Sequence, residues 1–188
     1  MLSFLTTENI SFPTGHKMRG FSLIEVLIYI AIVAVLITVV SGTFLWLVKN
    51  QTKANAIQET TDNAAFLMAV ISREIRSAQQ VYLATTVLNN DLGQLSLKTM
   101  QSAPSGETVT YIDFYLCGHQ LCLKREGAGP IILSSDKVEI EQLKFNRIVT
   151  GQRESLEAIL ALSFVNPKNR PEKEVSLTLN SVTSLGGY

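Results

Sequence analysis

The sequence has few residues of the kinds that carry out catalysis. Among 188 residues it contains only two histidines, His16 and His119, and two cysteines. We find no G-x-S-x-G, phosphate-binding loop, dinucleotide fingerprint or H-E-x-x-H motif. Glu139 and Glu141, two apart on a candidate strand, face the same side, but without a supporting Asp or His we interpret them as a solvated face. We therefore predict that the chain is not an enzyme and needs no cofactor.

An excess of basic charge is also missing. The chain has 16 Lys and Arg and 16 Asp and Glu, so its formal net charge is zero. Non-specific binding to nucleic acid requires a basic face, because most of its affinity comes from contacts with phosphates. We therefore expect no nucleic-acid partner.

One long stretch lacks both charge and proline. Between Glu25 and Lys49 lie 23 uncharged residues, Val26 to Val48, and at ~1.5 Å per helical residue they extend ~34 Å. This length crosses a hydrocarbon core of ~30 Å with a slight tilt. Lys17 and Arg19 precede the stretch, and the positive-inside bias places the N-terminus in the cytoplasm and the chain after Val48 outside.

Glu25 lies just inside the apolar boundary, where a carboxylate needs a partner. Three partners are possible. Ser22 and Glu25 fit the capping-box pattern S-x-x-E, in which each side chain accepts a hydrogen bond from a free backbone N–H. Alternatively, cleavage after Gly20 would free the amine of Phe21, one helical turn away and opposite in charge. The third possibility is the same amine on a neighbouring subunit.

The residues around this boundary resemble a known processing signature. The segment Lys17-Met18-Arg19-Gly20-Phe21-Ser22-Leu23-Ile24-Glu25, followed by an apolar helix, is similar to the prepilin-peptidase motif of type IV pilins and type II secretion pseudopilins. The resemblance implies that a prepilin peptidase cuts between Gly20 and Phe21 and that Phe21 is N-methylated. It also implies that Glu25 contacts the N-terminal amine of a neighbouring pilin subunit during assembly.

Two simpler interpretations compete with this motif. In a secretory signal peptide, Ser41, Gly42 and Thr43 would form a small-residue cleavage site. However, the apolar run continues beyond that site, and Glu25 interrupts the start of the hydrophobic region. A plain single-pass anchor fits the length and flanking charge equally well, but it gives Gly20, Phe21 and Glu25 no role.

The two cysteines lie close together, in Cys117-Gly118-His119-Gln120-Leu121-Cys122. If this part of the chain is translocated, it enters an oxidising compartment, where such a pair across a turn forms a disulfide. A metal site of Cys117, Cys122 and His119 is the alternative, but a second ligand pair at zinc-like spacing is missing. We predict the disulfide and no metal.

The chain after the apolar stretch changes its periodicity once. From Lys49 to Val81 apolar residues recur at helical spacing, at Ile57, Ala64, Leu67, Ile71, Ile75 and Ala78. With no proline between Phe21 and Tyr82, one helix of about 60 residues is expected, ~90 Å long. Gly42 within it marks either local softening or a small packing residue.

From Asn89 onward the period is two, which is typical of strands. Short strands are expected around Leu95 and Leu97, Val109 to Leu116, and Leu121 and Leu123. Longer ones are expected at Val138 to Val149, Leu156 to Phe164 and Glu174 to Val182. The order predicts an α+β fold, with a long N-terminal transmembrane and amphipathic helix packed on an antiparallel β-sheet. This is also the pilin architecture.

Three segments resemble J-type minor pseudopilins and their pilus counterparts more closely: Arg73 to Ala78, Leu121 to Arg125 and Val138 to Phe145. The hairpin cysteines depart from that pattern. We expect a leader at residues 1–20, a membrane or filament-core helix at 21–48, and an outer domain at 49–188.

The resemblance implies a minor pilin or pseudopilin in the cytoplasmic membrane that helps to initiate or cap a type IV pilus or a type II secretion pseudopilus. Its partners would be prepilin peptidase and other subunits. A membrane-tethered or tip-exposed adhesin is the alternative, and an exposed aromatic cluster of Tyr111, Phe114 and Tyr115 would support it.

Overall fold

The computed structural model describes residues 20–101, 103, 105–151 and 153–186. The predicted leader, residues 1–20, therefore lies outside the described residues except for Gly20. The chain forms two compact units, and the boundary between them in the sequence falls between Leu45 and Trp46.

A single helix, α1, spans Leu23–Ser77 over 55 residues. The predicted helix is therefore confirmed, but it ends before Tyr82. The reason is a change of backbone partner: the N–H of Gln79 donates to the carbonyl of Lys98 at 2.9 Å, and the N–H of Tyr82 donates to Ser96 at 2.8 Å. The chain leaves the helix because it begins to pair with a strand.

In the part of the chain that the structure describes, eight strands follow the helix, and all pairings between them are antiparallel. They are β1 Gln80–Val81, β2 Leu95–Thr99, β3 Thr110–Cys117, β4 Gln120–Arg125, β5 Ile131–Ile132, β6 Val138–Thr150, β7 Arg153–Phe164 and β8 Ser176–Ser184. The α+β class is confirmed. The strands form two sheets rather than one, ordered β1-β2-β3-β4-β5 and β6-β7-β8.

The last strand begins later than predicted. Glu174 lies outside β8 because Pro171–Lys173 forms a 3-10 turn, which the N–H of Glu174 closes on the carbonyl of Pro171 at 3.4 Å. Two prolines near this loop, Pro167 and Pro171, oppose an earlier start of the strand because proline cannot donate to a ladder.

The core is built from one stripe of α1 and the inner faces of the strands. The helical members are Ala64, Leu67, Met68, Ile71 and Ile75, and the bulkiest strand members are Phe114 and Phe145, each fully buried. The prediction for Ile57 was wrong, since its side chain is 45% exposed and Ala56 is buried instead. Ala56, Thr60 and Ala64 continue the stripe at four-residue spacing, and Ile57 lies about 100° away from it.

Candidate functional site: the N-terminal helix and the domain after it

The predicted processing residues lie at the start of the described chain. Gly20 and Phe21 precede α1, and the Phe21 side chain is 73% exposed. The helix begins with two backbone hydrogen bonds to the carbonyl of Ser22, from the N–H of Glu25 at 3.0 Å and from Val26 at 3.2 Å. Since the carbonyl of Ser22 accepts the first helical bonds, Ser22 occupies the N-cap position that the capping-box interpretation requires.

Glu25 differs from its neighbours in exposure. It is half-buried, whereas the residues on both sides of it are exposed. It is also the acidic residue of the first turn of α1, where the free backbone N–H groups favour a negative charge. The position therefore tolerates a carboxylate. Which of the three possible partners the Glu25 carboxylate contacts stays a prediction.

The first half of α1 exposes apolar side chains on all sides. An 18-residue window has a mean hydropathy of 2.9 and contains no buried residue, so by length and composition this helix could cross a membrane. Two of its threonine hydroxyl groups bond within the helix: Thr38 Oγ1 donates to the carbonyl of Ala34 at 2.8 Å, and Thr43 Oγ1 to that of Val40 at 2.8 Å. Such bonds within the helix let Thr residues enter an apolar medium at lower cost.

Gly42 does not interrupt α1. The helix continues through it, and a Cβ placed there would meet no atom within 4 Å. Within one chain, Gly42 is therefore neither a break nor a contact point. If its small size serves close packing, the partner must be another helix.

The disulfide prediction is confirmed. Cys117 and Cys122 are bonded across the hairpin of β3 and β4, with their Cα atoms 5.9 Å apart. Gly118 adopts a φ of 66°, a left-handed conformation that glycine takes without steric cost. His119 is exposed in the same turn. Because both sulfurs are joined to each other, they are not available as metal ligands.

A buried ion pair, which sequence reasoning missed, connects the end of α1 to β4. Glu74 is only 4% exposed, and its Oε1 accepts hydrogen bonds from Arg125 at 2.9 Å and from Arg73 at 3.0 Å. Removing one partner of such a pair is costly because it leaves a charge uncompensated. The sequence did contain one sign of this burial. Glu74 lies between Ile71 and Ile75 in the helical pattern, which places it close to the buried stripe.

The aromatic cluster expected for an adhesin does not form. Phe114 is fully buried, and Tyr111 and Tyr115 are half-buried. Tyr111 pairs instead with Tyr82, with ring centroids 4.9 Å apart. Phe114, the central residue of the predicted ligand surface, therefore belongs to the hydrophobic core instead.

The domain also has a groove where α1 first contacts it. The groove encloses about 480 Å³ and is lined by Thr52, Asn55, Ala56 and Glu59 of α1 together with Asp136, Lys137, Phe164, Val165 and Lys173. On its wall Lys137 Nζ donates to Glu59 Oε2 at 3.1 Å, and this hydrogen bond lowers the pKa of the Glu59 carboxyl group. The pair stabilises the contact between α1 and the segment before β6.

Glu139 and Glu141 are both exposed, and Glu141 lies within the irregularity between Ile140 and Gln142 in β6. Their interpretation as a solvated face is consistent with this placement. Among the described residues, no group of three or more His, Cys, Asp or Glu side chains is arranged to hold a metal ion.

Comparison with known proteins supports the motif at the N-terminus. Residues 15–41 match the family model of the prokaryotic N-terminal methylation motif. A search of curated proteins finds no similar sequence. Among solved structures, the chain is similar to a type IV-like pilin from Thermus thermophilus, with 11% identity over 68% of this chain and 96% of the other and a TM-score of 0.48.

These findings leave the finer likeness to J-type pseudopilins without support. They do support the predicted motif, and Gly20, Phe21 and Glu25 all lie inside the matched segment, while the roles of these three residues stay predictions. A prepilin-type methylation motif that leads directly into a long apolar helix, followed by antiparallel sheets, makes this chain similar to type IV pilins and pseudopilins.

Proposed function

We propose that the chain is a minor pilin or pseudopilin that helps to initiate or cap a type IV pilus or a type II secretion pseudopilus. The observation that carries this proposal is the first half of α1, which begins within the matched segment 15–41 and exposes apolar side chains on every side. Such a surface is stable in lipid or among other apolar helices, and no partner covers it among the described residues of its own chain. It therefore suits a subunit that moves from a membrane into a helical bundle.

The proposed organisation follows the same division. Residues 1–20 form a leader that prepilin peptidase removes, and Phe21 becomes the methylated N-terminus. Residues 21–48 cross the cytoplasmic membrane once, with the N-terminus inside, and later line the filament core. Residues 49–188 form the outer domain. The domain takes a structural part in the filament, and we assign it no catalytic role.

The mechanism is physical. Leaving the membrane exposes the apolar helix unless neighbouring helices cover it, so helix packing in the filament must offset the loss of lipid contacts. A neighbour's Phe21 amine beside the Glu25 carboxylate adds an attraction that is strong in a medium of low dielectric constant. Because this attraction acts over a few ångströms, it favours one axial register over all others.

The test uses two substitutions at one position. Glu25→Ala removes both the charge and any capping bond, whereas Glu25→Gln removes the charge but keeps a side chain that serves in a capping box. We expect both variants to enter the membrane and to be cut after Gly20, as shown by fractionation and intact mass. We expect neither to assemble into filaments.

The control is Ser22→Ala, which weakens the cap and leaves the charge. Normal assembly of Glu25→Gln together with a failure of Ser22→Ala would mean that Glu25 acts as a cap and would remove the charge pair from the mechanism. An adhesin role remains the alternative function, and it would require normal assembly of a chain whose outer domain binds an external ligand.

A further inference from the structure

A second feature of the domain is a group of three basic side chains in one loop, Lys168, Arg170 and Lys173. We call residues 166–173 the basic loop. Its backbone is fixed by Asn166, whose side-chain amide donates to the carbonyl of Arg170 at 2.9 Å and whose Oδ1 accepts from the N–H of Arg170, also at 2.9 Å. These bonds close the loop, so its side chains project from an ordered backbone.

Three cations surround one small recess in this loop. The recess has a volume of about 190 Å³ and is lined by Asn166, Pro167, Lys168, Arg170 and Lys173. Among the described residues no carboxylate lines the recess, although the loop contains Glu172 beside it in the sequence. Lys168 and Arg170 are exposed, while Lys173 is held with its Nζ 5.5 Å from the centre of the Phe164 ring. Three positive groups around a recess of this size suit a phosphate group.

A shared side chain links the recess to the part of α1 that follows the apolar stretch in the sequence. Lys173 also lines the groove whose helical wall begins at Thr52, only four residues after Val48, or ~6 Å along the helix. Trp46, 67% exposed, lies at the end of the apolar stretch, where aromatic residues mark the boundary between lipid and water. The helical turns that share a groove with Lys173 therefore follow directly after the residues expected at the headgroup layer of a membrane that holds the stretch.

Two helical lysines extend the same basic surface. Lys49 precedes buried Ala56 by seven residues, and Lys53 precedes buried Thr60 by seven. Residues seven apart lie on one helix face, so both lysines project from the face of α1 that packs on the domain further along. They therefore lie on the side of the helix where the basic loop is found.

The charge of this surface is free to act on a partner. Within the described part of the chain, the ion pairs involve none of Lys49, Lys53, Lys168, Arg170 and Lys173. The nearby carboxylate of Glu59 already has Lys137 as its partner. An anionic partner at this surface would meet cations without first displacing a bound carboxylate.

We propose that the basic loop, together with Lys49 and Lys53, docks on the phosphate groups of anionic phospholipids in the membrane that holds α1. The inference rests on the proposed membrane insertion of α1 and adds a second point of contact between subunit and lipid. Docking holds the outer domain on the bilayer before assembly. Entry into a filament then requires that these contacts be released along with the helix.

The experiment uses the full chain in vesicles of phosphatidylcholine, with or without phosphatidylglycerol. Both native cysteines are bonded to each other, so Ser176→Cys introduces the one thiol available to a fluorescent label. Ser176 lines the same groove as Lys173 but not the recess itself. A nitroxide on the lipid headgroups reports, by quenching, how close the label lies to the membrane surface.

We expect strong quenching in vesicles that contain phosphatidylglycerol, weak quenching in phosphatidylcholine alone, and loss of the difference at high salt. Lys168→Glu, Arg170→Glu and Lys173→Glu together should reduce the ratio of docked to free domains by about tenfold or more. The matched control changes Lys98, Lys124 and Arg153 to Glu, which alters net charge equally, and it should keep the quenching.

Equal quenching in both kinds of vesicle would overturn the proposal, as would equal loss in the two triple variants, because the effect would then be one of net charge. Quenching that appears only at high protein density would indicate an acidic protein partner instead and would also overturn it. Failure of the chain to float with the vesicles would contradict membrane insertion, and hence the proposed function. Insertion without quenching would contradict docking alone.

Discussion

At the scale of single residues, Glu157 connects all three strands of the second sheet. Its Oε2 accepts from the side-chain amide of Asn146 on β6 at 2.7 Å, and its Oε1 accepts from that of Asn180 on β8 at 2.8 Å. The bond from Asn146, followed by the one from Asn180, lowers the pKa of the Glu157 carboxyl group below its ordinary value. The charged form is therefore favoured by folding.

This lowered pKa predicts a loss of stability in acid. The contribution of Glu157 is fully present above about pH 4.5, the ordinary pKa of the group, and it disappears as the pH falls through the lower pKa of the folded state. In Glu157→Gln, we expect the midpoint of thermal unfolding to depend less on pH between about pH 5 and pH 3 than in the wild type. Glu139→Gln, at an exposed carboxylate of β6, serves as the control, and an unchanged profile in Glu157→Gln would contradict the assignment.

How much the sequence predicts at this scale depends on the kind of residue. Cys117 and Cys122 were predicted correctly because their spacing and compartment allow one simple outcome. The sequence did not show that Ala56, rather than Ile57, is buried. One step along a helix changes the face on which a residue lies, and Ala gives a weak hydrophobic signal. Glu74 was missed because its partner Arg125 is 51 residues away, and no local pattern reports a contact of that range.

At the scale of elements, β8 is a long strand at the edge of its sheet. It pairs with β7 on one side, and among the described residues no further strand follows it in that sheet. The N–H of Leu185 donates to Glu154, and N–H groups alternate along a strand, so odd-numbered residues of β8 face β7. Even-numbered residues such as Thr178 direct their N–H groups away from the sheet.

This alternation predicts opposite effects of proline at neighbouring positions. Thr178→Pro removes a donor that faces outward and should lower the free energy of unfolding by less than about 1 kcal/mol. Ser181→Pro removes a ladder bond and leaves an acceptor on β7 without its partner, and it should cost at least about 2 kcal/mol. Denaturant unfolding of the two variants measures the difference. If both variants lost the same free energy of unfolding, the outer edge of β8 would be paired with another segment.

The sequence predicted the long helix and the long strands better than the short strands. The long helix and the strands with clear alternation were found, because each carries several repeats of its period. The two-residue strands β1 and β5 carry no periodic signal, so the sequence could not reveal them. The division into two sheets was also missed, since pairing of β6 with β7 rather than β5 depends on contacts across the core.

At the scale of the whole molecule, the hydrophobic core is confined to one of the two units. Every buried apolar residue found in the structure lies at Ala56 or beyond, within the unit that starts at Trp46. The stretch before it contributes exposed apolar surface and no core residue. The core therefore does not depend on the apolar first part of α1.

A chain that begins at Lys49 should consequently fold alone. We expect it to keep the disulfide, a near-ultraviolet circular dichroism signal and one cooperative unfolding transition. Leu67→Ala in the same shortened chain should lower the free energy of unfolding by about 2 to 5 kcal/mol, because Leu67 is fully buried. A shortened chain without a cooperative transition would show that the apolar stretch supports the domain.

The position of the disulfide has a consequence for how the chain matures. Two cysteines allow a single pairing, and both lie on one hairpin whose strands are neighbours in sequence. Oxidation thus requires only local order, and under the proposed topology it can follow translocation of the hairpin while the rest of the sheets is still absent. Such a subunit carries no risk of a wrongly paired bridge and has no need of a disulfide isomerase.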